Sequence, residues 1–235
     1  MKTAGIDGCK AGWMMVTFDS GSEEYKILRD DSDLKEVLLE YDRVFIDVPI
    51  GLEDETYTRK CDELLRKKLG GEYSSSVFSP PIRAALHAPS YVEANMQSYE
   101  YTEKKMSLQA WNITPKIKEV DRFLQENPER RENVFESHPE LLFMNLNGGM
   151  IYQKKNTKKG LRHRLDLIKN HEKIAADFFR DIKDEYRRNE VEEDDIVDAM
   201  VLALAAKQSE EKGIKTIPED PPLDSENLKM AIHYI

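Results

Sequence analysis

The chain has 235 residues, enough for one large domain or a domain carrying an insertion, and enough to fold without a disulfide or metal staple. Its 45 acids against 35 bases leave a formal net charge of −10, which excludes a protein held to nucleic acid or membrane by bulk positive charge, though not a local basic surface. Two cysteines, Cys9 and Cys61, exclude a disulfide framework, and no Cys/His cluster has zinc-ligand spacing.

In chain order, Thr3–Ile6, Trp13–Phe18 and Tyr25–Leu28 are short β-prone runs broken by Gly8, Gly12, Gly21 and Ser22, the pattern of a three-stranded meander with tight turns. Asp33–Tyr41 places Leu34, Val37 and Leu38 at helical spacing. Arg43–Val48 (RVFIDV) is apolar on both alternating sets of positions, as a strand covered on both faces would be, and Pro49 and Gly51 stop it. From Glu53 to Arg131 the chain is mostly helical. The plainest helix start there is Thr114-Pro115, an N-cap followed by proline at the first helical position. A fifth strand is expected at Asn133–Glu136. The series Leu161, Leu165, Ile168, Ala175, Phe179, Ile182, Tyr186 marks an amphipathic helix or helix pair. A last helix is expected at 194–208. The order β-β-β-α-β-α-β-α, with extra helices around the fifth strand, indicates a mixed sheet with helices on its faces. A single domain over 1–235 is expected, with a mainly helical insertion at about 53–131.

The longest strongly apolar run, Ala199–Ala206, is far short of the about 20 residues that span a bilayer, and MKTAGIDG lacks a signal-peptide core. A cytoplasmic protein is expected, with no membrane partner.

Acids that interrupt apolar segments carry the chemistry. Asp7 ends the first strand before a glycine turn. Asp47 lies inside FIDVPI, where an unpaired carboxylate is expensive to bury. Glu136 ends the fifth strand, and Asp195 and Asp198 share a face near the start of the last helix. Each has a structural alternative: a turn residue for Asp7, a structural buried acid for Asp47, a Lys or Arg partner for Glu136, and helix-dipole acids for Asp195 and Asp198. Asp194 fits a helix cap or first-turn acid and stays outside the site. Carboxylates gathered at one point raise each other's pKa unless cations balance them. Hard oxygen donors suit Mg²⁺ or Mn²⁺, and two such ions ~3.5–4 Å apart can activate water at a phosphodiester. The expected catalytic set is therefore Asp7, Asp47, Glu136, Asp195 and Asp198, with all but Glu136 as metal ligands.

GIDGCKAGW (Gly5–Trp13), IDVPIGL (Ile46–Leu52), SSVFSPPIRAAL (Ser75–Leu86), ESHPELLF (Glu136–Phe143), DDIVDA (Asp194–Ala199) and the closing PEDPPLDSENLKMAIHYI together resemble an uncharacterised bacterial and archaeal family of predicted nucleases. The resemblance implies a ribonuclease H-like α/β fold: a mixed five-stranded sheet, order 3-2-1-4-5, flanked by helices. In that order strands 1 and 4 are neighbours, which would bring Asp7 and Asp47 together. The pair Asp195 and Asp198 is similar to the helix acids of Holliday-junction resolvases in the same superfamily, whereas Glu136 departs from their pattern.

Gln153–Leu165 carries six Lys/Arg and no acid, a candidate contact for a nucleic-acid backbone, DNA or RNA, with Lys158 and Lys159 as its expected phosphate ligands. Its alternative is a solvated loop. Lys10, beside the first turn, and Arg83, which could grip a phosphate or cap a helix, complete the expected substrate set. His138 could shuttle protons or serve as a turn residue. Trp13 is expected in the core. Three functions fit to different degrees: a metal-dependent nuclease, a non-catalytic scaffold on the same fold, and an ATP-dependent phosphotransferase. The last needs two such cores, and 235 residues hold one.

Overall fold

The computed structural model describes residues 1–71 and 73–235. β1 (Thr3–Cys9), β2 (Gly12–Thr17) and β3 (Glu24–Leu28) form an antiparallel meander. α1 (Asp31–Glu40) leads into β4 (Arg43–Ile46), and α2 (Cys61–Leu69), α3 (Tyr91–Thr102) and α4 (Leu108–Glu126) follow. β5 (Val134–Glu136) precedes α5 (Pro139–Leu146), α6 (Lys158–Lys169), α7 (Ala175–Glu185) and α8 (Glu193–Lys212). Two short strands, β6 (Lys215–Ile217) and β7 (Ile232–Tyr234), pair with each other late in the chain. Among the described residues no helix is long and apolar enough to cross a membrane.

The chain divides into two compact units, the first of Met1–Asp47, Glu132–Lys215 and His233–Ile235, the second of Val48–Arg131 and Thr216–Ile232. The first holds a mixed five-stranded sheet in the order β3-β2-β1-β4-β5, the order that the sequence motifs implied. β4 runs parallel to both β1 and β5. That explains its uninterrupted apolar run, since parallel strands are covered on both faces.

α8 is the central helix of this unit. Every residue from Ile196 to Ala206 is buried, and from Ala199 to Ala206 the helix is apolar all round. Gly5 makes the close approach possible: a Cβ there would sit 2.0 Å from the Ala203 nitrogen and 2.5 Å from the Ala199 carbonyl oxygen. Gly5→Ala must therefore push α8 off β1, at an expected cost of about 1–3 kcal/mol in a urea titration. Unchanged stability would mean that the helix is not seated as described. The apolar series that allowed one helix or two resolves into α6 and α7, with Lys169 ending the first and Ala175 starting the second.

In the second unit α4 begins before Thr114-Pro115. The Ser107 hydroxyl accepts from the Ala110 N–H at 3.1 Å and caps the helix seven residues upstream. Thr114 is buried and donates to the Ala110 carbonyl at 3.0 Å, and Pro115 lies inside the helix. The cap signature at Thr114 was local, and the better-placed serine prevails because Ala110, buried between the two, belongs to the helix face that packs.

Candidate active site

The strand register decides which acids meet. Ile6 pairs with Ile46, and Ile46 with Glu136, so these three side chains share one face of the sheet. Gly5 faces α8, so Asp7, two residues on, faces α8 as well. Asp47 extends the ladder by donating its N–H to the Ile6 carbonyl at 3.0 Å, and pleat alternation puts it on the same side as Asp7. On α8, Asp195 and Asp198 lie near the N-terminus, with Asp198 buried.

The electrostatics report the same grouping. Burial pushes the Asp7 carboxyl well above its ordinary range, and Asp47, Asp198 and Asp195 push it further. Asp47 is pushed up to about 7 by burial first and then by Asp198, with a smaller contribution from Glu140. Asp195 is pushed up to about 6 by burial, with Asp194 and Asp198 adding to it and a hydrogen bond from the Glu192 backbone opposing it. Folding thus assembles acids from β1, the end of β4 and α8 that would each be easier to ionise apart.

The positive charge that answers them comes from Lys155. Its Nζ donates to Asp198 Oδ2 at 3.0 Å and lies 3.6 Å from Asp194 Oδ2. Asp198, followed by Asp7 and Asp194, holds this ammonium protonated beyond its ordinary range. The loop that presents it is tightly built. Arg164 donates to the Gln153 carbonyl at 2.9 Å, and Thr157 Oγ1 donates to the Lys154 carbonyl at 2.8 Å. Gly160 leaves room for that carbonyl, which a Cβ would meet at 2.1 Å. Lys155 belongs to the acid-free basic run, but nothing in the run separates it from its neighbours. Lys158 and Lys159 lie exposed on the first turn of α6.

Several expected residues lie elsewhere. Glu136 is buried on the sheet face opposite Asp7 and Asp47, and its backbone carbonyl accepts from His233 Nδ1 at 2.9 Å. His138 is the residue before α5 and is half-buried. Lys10 is exposed and ion-paired with Glu192. Arg83 belongs to the second unit, where its guanidinium grips Asp121 at 2.8 and 3.1 Å and also bonds Asp224. That fork is committed to carboxylates of its own chain, so Arg83 is an anchor of the second unit and not a free phosphate ligand. The helix cap expected of Asp194 is made by Asp195, which stays beside the other acids. Asp195 accepts from the Glu192 N–H at 2.9 Å and closes a capping box, whereas Asp194 faces Lys155. Trp13 is in the core as expected.

The donor set of Asp7, Asp47, Asp195 and Asp198 consists of hard carboxylate oxygens with excess negative charge, which suits Mg²⁺ or Mn²⁺ in kind. Among the described residues no group of three or more His, Cys, Asp or Glu side chains is arranged to hold a metal ion, and Asp198 is instead engaged by Lys155.

Residues 5–223 match the family described as Protein of unknown function (DUF429). No curated protein matches the chain, and no solved structure does.

Proposed function

The chain belongs to the DUF429 family, and from that premise we propose that it is a divalent-metal-dependent nuclease that hydrolyses phosphodiester bonds in DNA or RNA. Asp7, Asp47, Asp195 and Asp198 would hold the Mg²⁺ or Mn²⁺ ions. Two such ions, when bound, supply an activated water and stabilise the leaving oxygen. The observation that carries the reading is that burial and then the charge of Asp198 raise Asp7, Asp47 and Asp195 alike, with Asp47 and Asp195 acting on Asp7 as well. Structural acids are ordinarily held below their usual range by a partner, whereas functional sites gather groups whose pKa values are driven away from it. The sheet order, which matches that of ribonuclease H-like proteins, adds support for the fold relationship alone.

In this reading the two strands do the positioning. Asp7 and Asp47 are fixed by the parallel pairing of β1 with β4, and Asp195 by its capping-box bond, so the oxygens are placed before any ligand arrives. Lys158 and Lys159 offer an exposed cationic edge to the phosphate backbone. Glu136, on the far face of the sheet, takes no part. A non-catalytic scaffold is the second reading, and one observation favours it: Lys155 already pairs with Asp198.

The test is cleavage of a panel of DNA and RNA substrates, single- and double-stranded, with Mg²⁺ or Mn²⁺. Wild type is expected to cut at least one substrate, and Asp7→Asn and Asp47→Asn to abolish the cut. If wild type and both variants are equally inert on every substrate, the scaffold reading prevails.

A further inference from the structure

The second unit holds a cleft of about 570 Å³, and every residue that lines it lies between Glu53 and Ser107. That volume suits a small organic molecule. One wall is apolar and belongs to a buried cluster: Ile82 and Met106 are buried in it, and half-buried Phe78 packs against the same cluster. The rest of the lining is charged. Arg59 and Asp62, both buried, neutralise each other at 3.0 Å. Arg66, Lys104 and Lys105 remain as cations, and Glu53 and Glu63 as anions. Among the described residues no ion pair joins any of these three cations to a carboxylate. Opposite charges that line one cleft without meeting leave both kinds of contact to a ligand. The cations are also held in place. Arg66 donates through Nε to the Val77 carbonyl and through Nη2 to Ser79 Oγ, each at 2.8 Å, which fixes the guanidinium plane and leaves Nη1 for another acceptor. α3 anchors the backbone of the two lysines. Buried Ser98 donates to the Lys104 carbonyl at 2.9 Å, and the Met106 N–H donates to Asn95 Oδ1 at 2.9 Å. Such anchoring reduces the ordering that binding must supply.

We propose that this cleft binds a nucleoside monophosphate, with the phosphate on Arg66, Lys104 and Lys105, the base against Phe78, Ile82 and Met106, and ligand hydroxyl or amino groups on Glu53 and Glu63. A planar guanidinium and two ammoniums match a phosphate in charge and in hydrogen-bond geometry. An aromatic and thioether wall favours a flat heteroaromatic ring over a purely polar anion. The two carboxylates repel a bare phosphate, but the sugar of a nucleotide brings the donors that they lack. The site needs neither a metal nor the acids of the first unit, so it stands or falls apart from the nuclease reading.

The test uses the full chain in EDTA, which keeps divalent ions out of the result. Adenosine, guanosine, cytidine and uridine 5′-monophosphates are titrated by calorimetry, with the matching nucleosides and inorganic phosphate as half-ligands. At least one nucleotide is expected to bind about ten-fold or more tightly than either of its halves. The double variant Lys104→Gln/Lys105→Gln removes two exposed charges and leaves the backbone anchors in place. It is expected to weaken that nucleotide about ten-fold or more. Phe78→Ala is expected to weaken the nucleotide and leave phosphate unchanged, and the lysine variant remains decisive should Phe78→Ala fail to fold. The proposal is overturned if no nucleotide binds wild type, if phosphate alone binds as tightly as the nucleotides, or if the folded lysine variant binds them undiminished. None of these outcomes touches the nuclease reading, which cleavage in Mg²⁺ or Mn²⁺ decides.

Discussion

Arg164→Leu is expected to destabilise the protein by about 3–5 kcal/mol, because it breaks a buried ion pair by removing one partner only. Arg164 and Glu140 are both buried, and the guanidinium Nη2 donates to both carboxylate oxygens, at 2.9 and 2.7 Å. The same guanidinium donates to the Gln153 carbonyl at 2.9 Å and lies 5.5 Å from the centre of the Phe143 ring. Leucine replaces the contact with Phe143 in part. It leaves Glu140 as an uncompensated buried charge and the Gln153 carbonyl without its donor. Arg164→Lys retains the charge but not the second nitrogen, Nη1, which donates to the Gln153 carbonyl, so its cost should lie between those of wild type and leucine. The double variant Arg164→Leu/Glu140→Leu should recover much of the loss, since the expensive species is the orphaned carboxylate. The urea midpoints of the three variants decide this. A cost below about 1 kcal/mol for the single leucine variant would place the pair among weak surface bridges. Glu140 also acts on Asp47. Removing its partner therefore adds uncompensated negative charge beside the acid cluster as well as loosening the loop of Lys155.

What could be read from residue order alone was the part governed by local pattern. The glycine-broken β-runs and the two-sided apolar run of β4 specify strands, and the wholly apolar middle of α8 specifies a buried helix. Asp7 and Asp47 stood out because a carboxylate inside such runs needs a reason. The sites that were misplaced depend on facts no local pattern carries. Glu136 ends a strand of three residues, too short to declare its face, and a shift of one residue reverses the face. Arg83 finds Asp224 at a separation of 141 residues, so its commitment to that carboxylate was invisible. Lys155 differs from its neighbours only through the loop that Arg164, Thr157 and Gly160 build around it. At the start of α8, adjacent acids divided two jobs, and only the backbone conformation of Glu192 settles which one caps. The strands β6 and β7, three residues each, fall below the length at which alternation is meaningful.

Asp47→Asn is expected to stabilise the metal-free protein at pH 8 and to have little effect at pH 4. In the unfolded chain this carboxyl titrates near 3.9; in the folded protein burial and Asp198 push it up to about 7. Between those values the folded state holds a proton that the unfolded state has released. Stability from this group is therefore full below about pH 4 and is lost as the pH rises towards 7. Above that it stays lost, because the folded state must then bear the charge. Asparagine neither holds nor loses the proton, so the variant escapes the penalty. With Lys155 softening the field, the expected gain at pH 8 is about 2–4 kcal/mol, or roughly 5–10 °C in Tm. The comparison must be the difference between variant and wild type across pH. Acids such as Asp30 and Glu190 are held below their ordinary range by hydrogen bonds and, for Glu190, by Arg29, and they contribute the opposite slope to both proteins. A difference that is flat from pH 4 to 8 would show that Asp47 is not charged at a cost in the folded state. Saturating Mn²⁺ should then invert the ranking at pH 8. Wild type retains the carboxylate that pays the folding penalty and gains stability from any ion that binds the native state alone, whereas the asparagine variant has exchanged that ligand for metal-free stability.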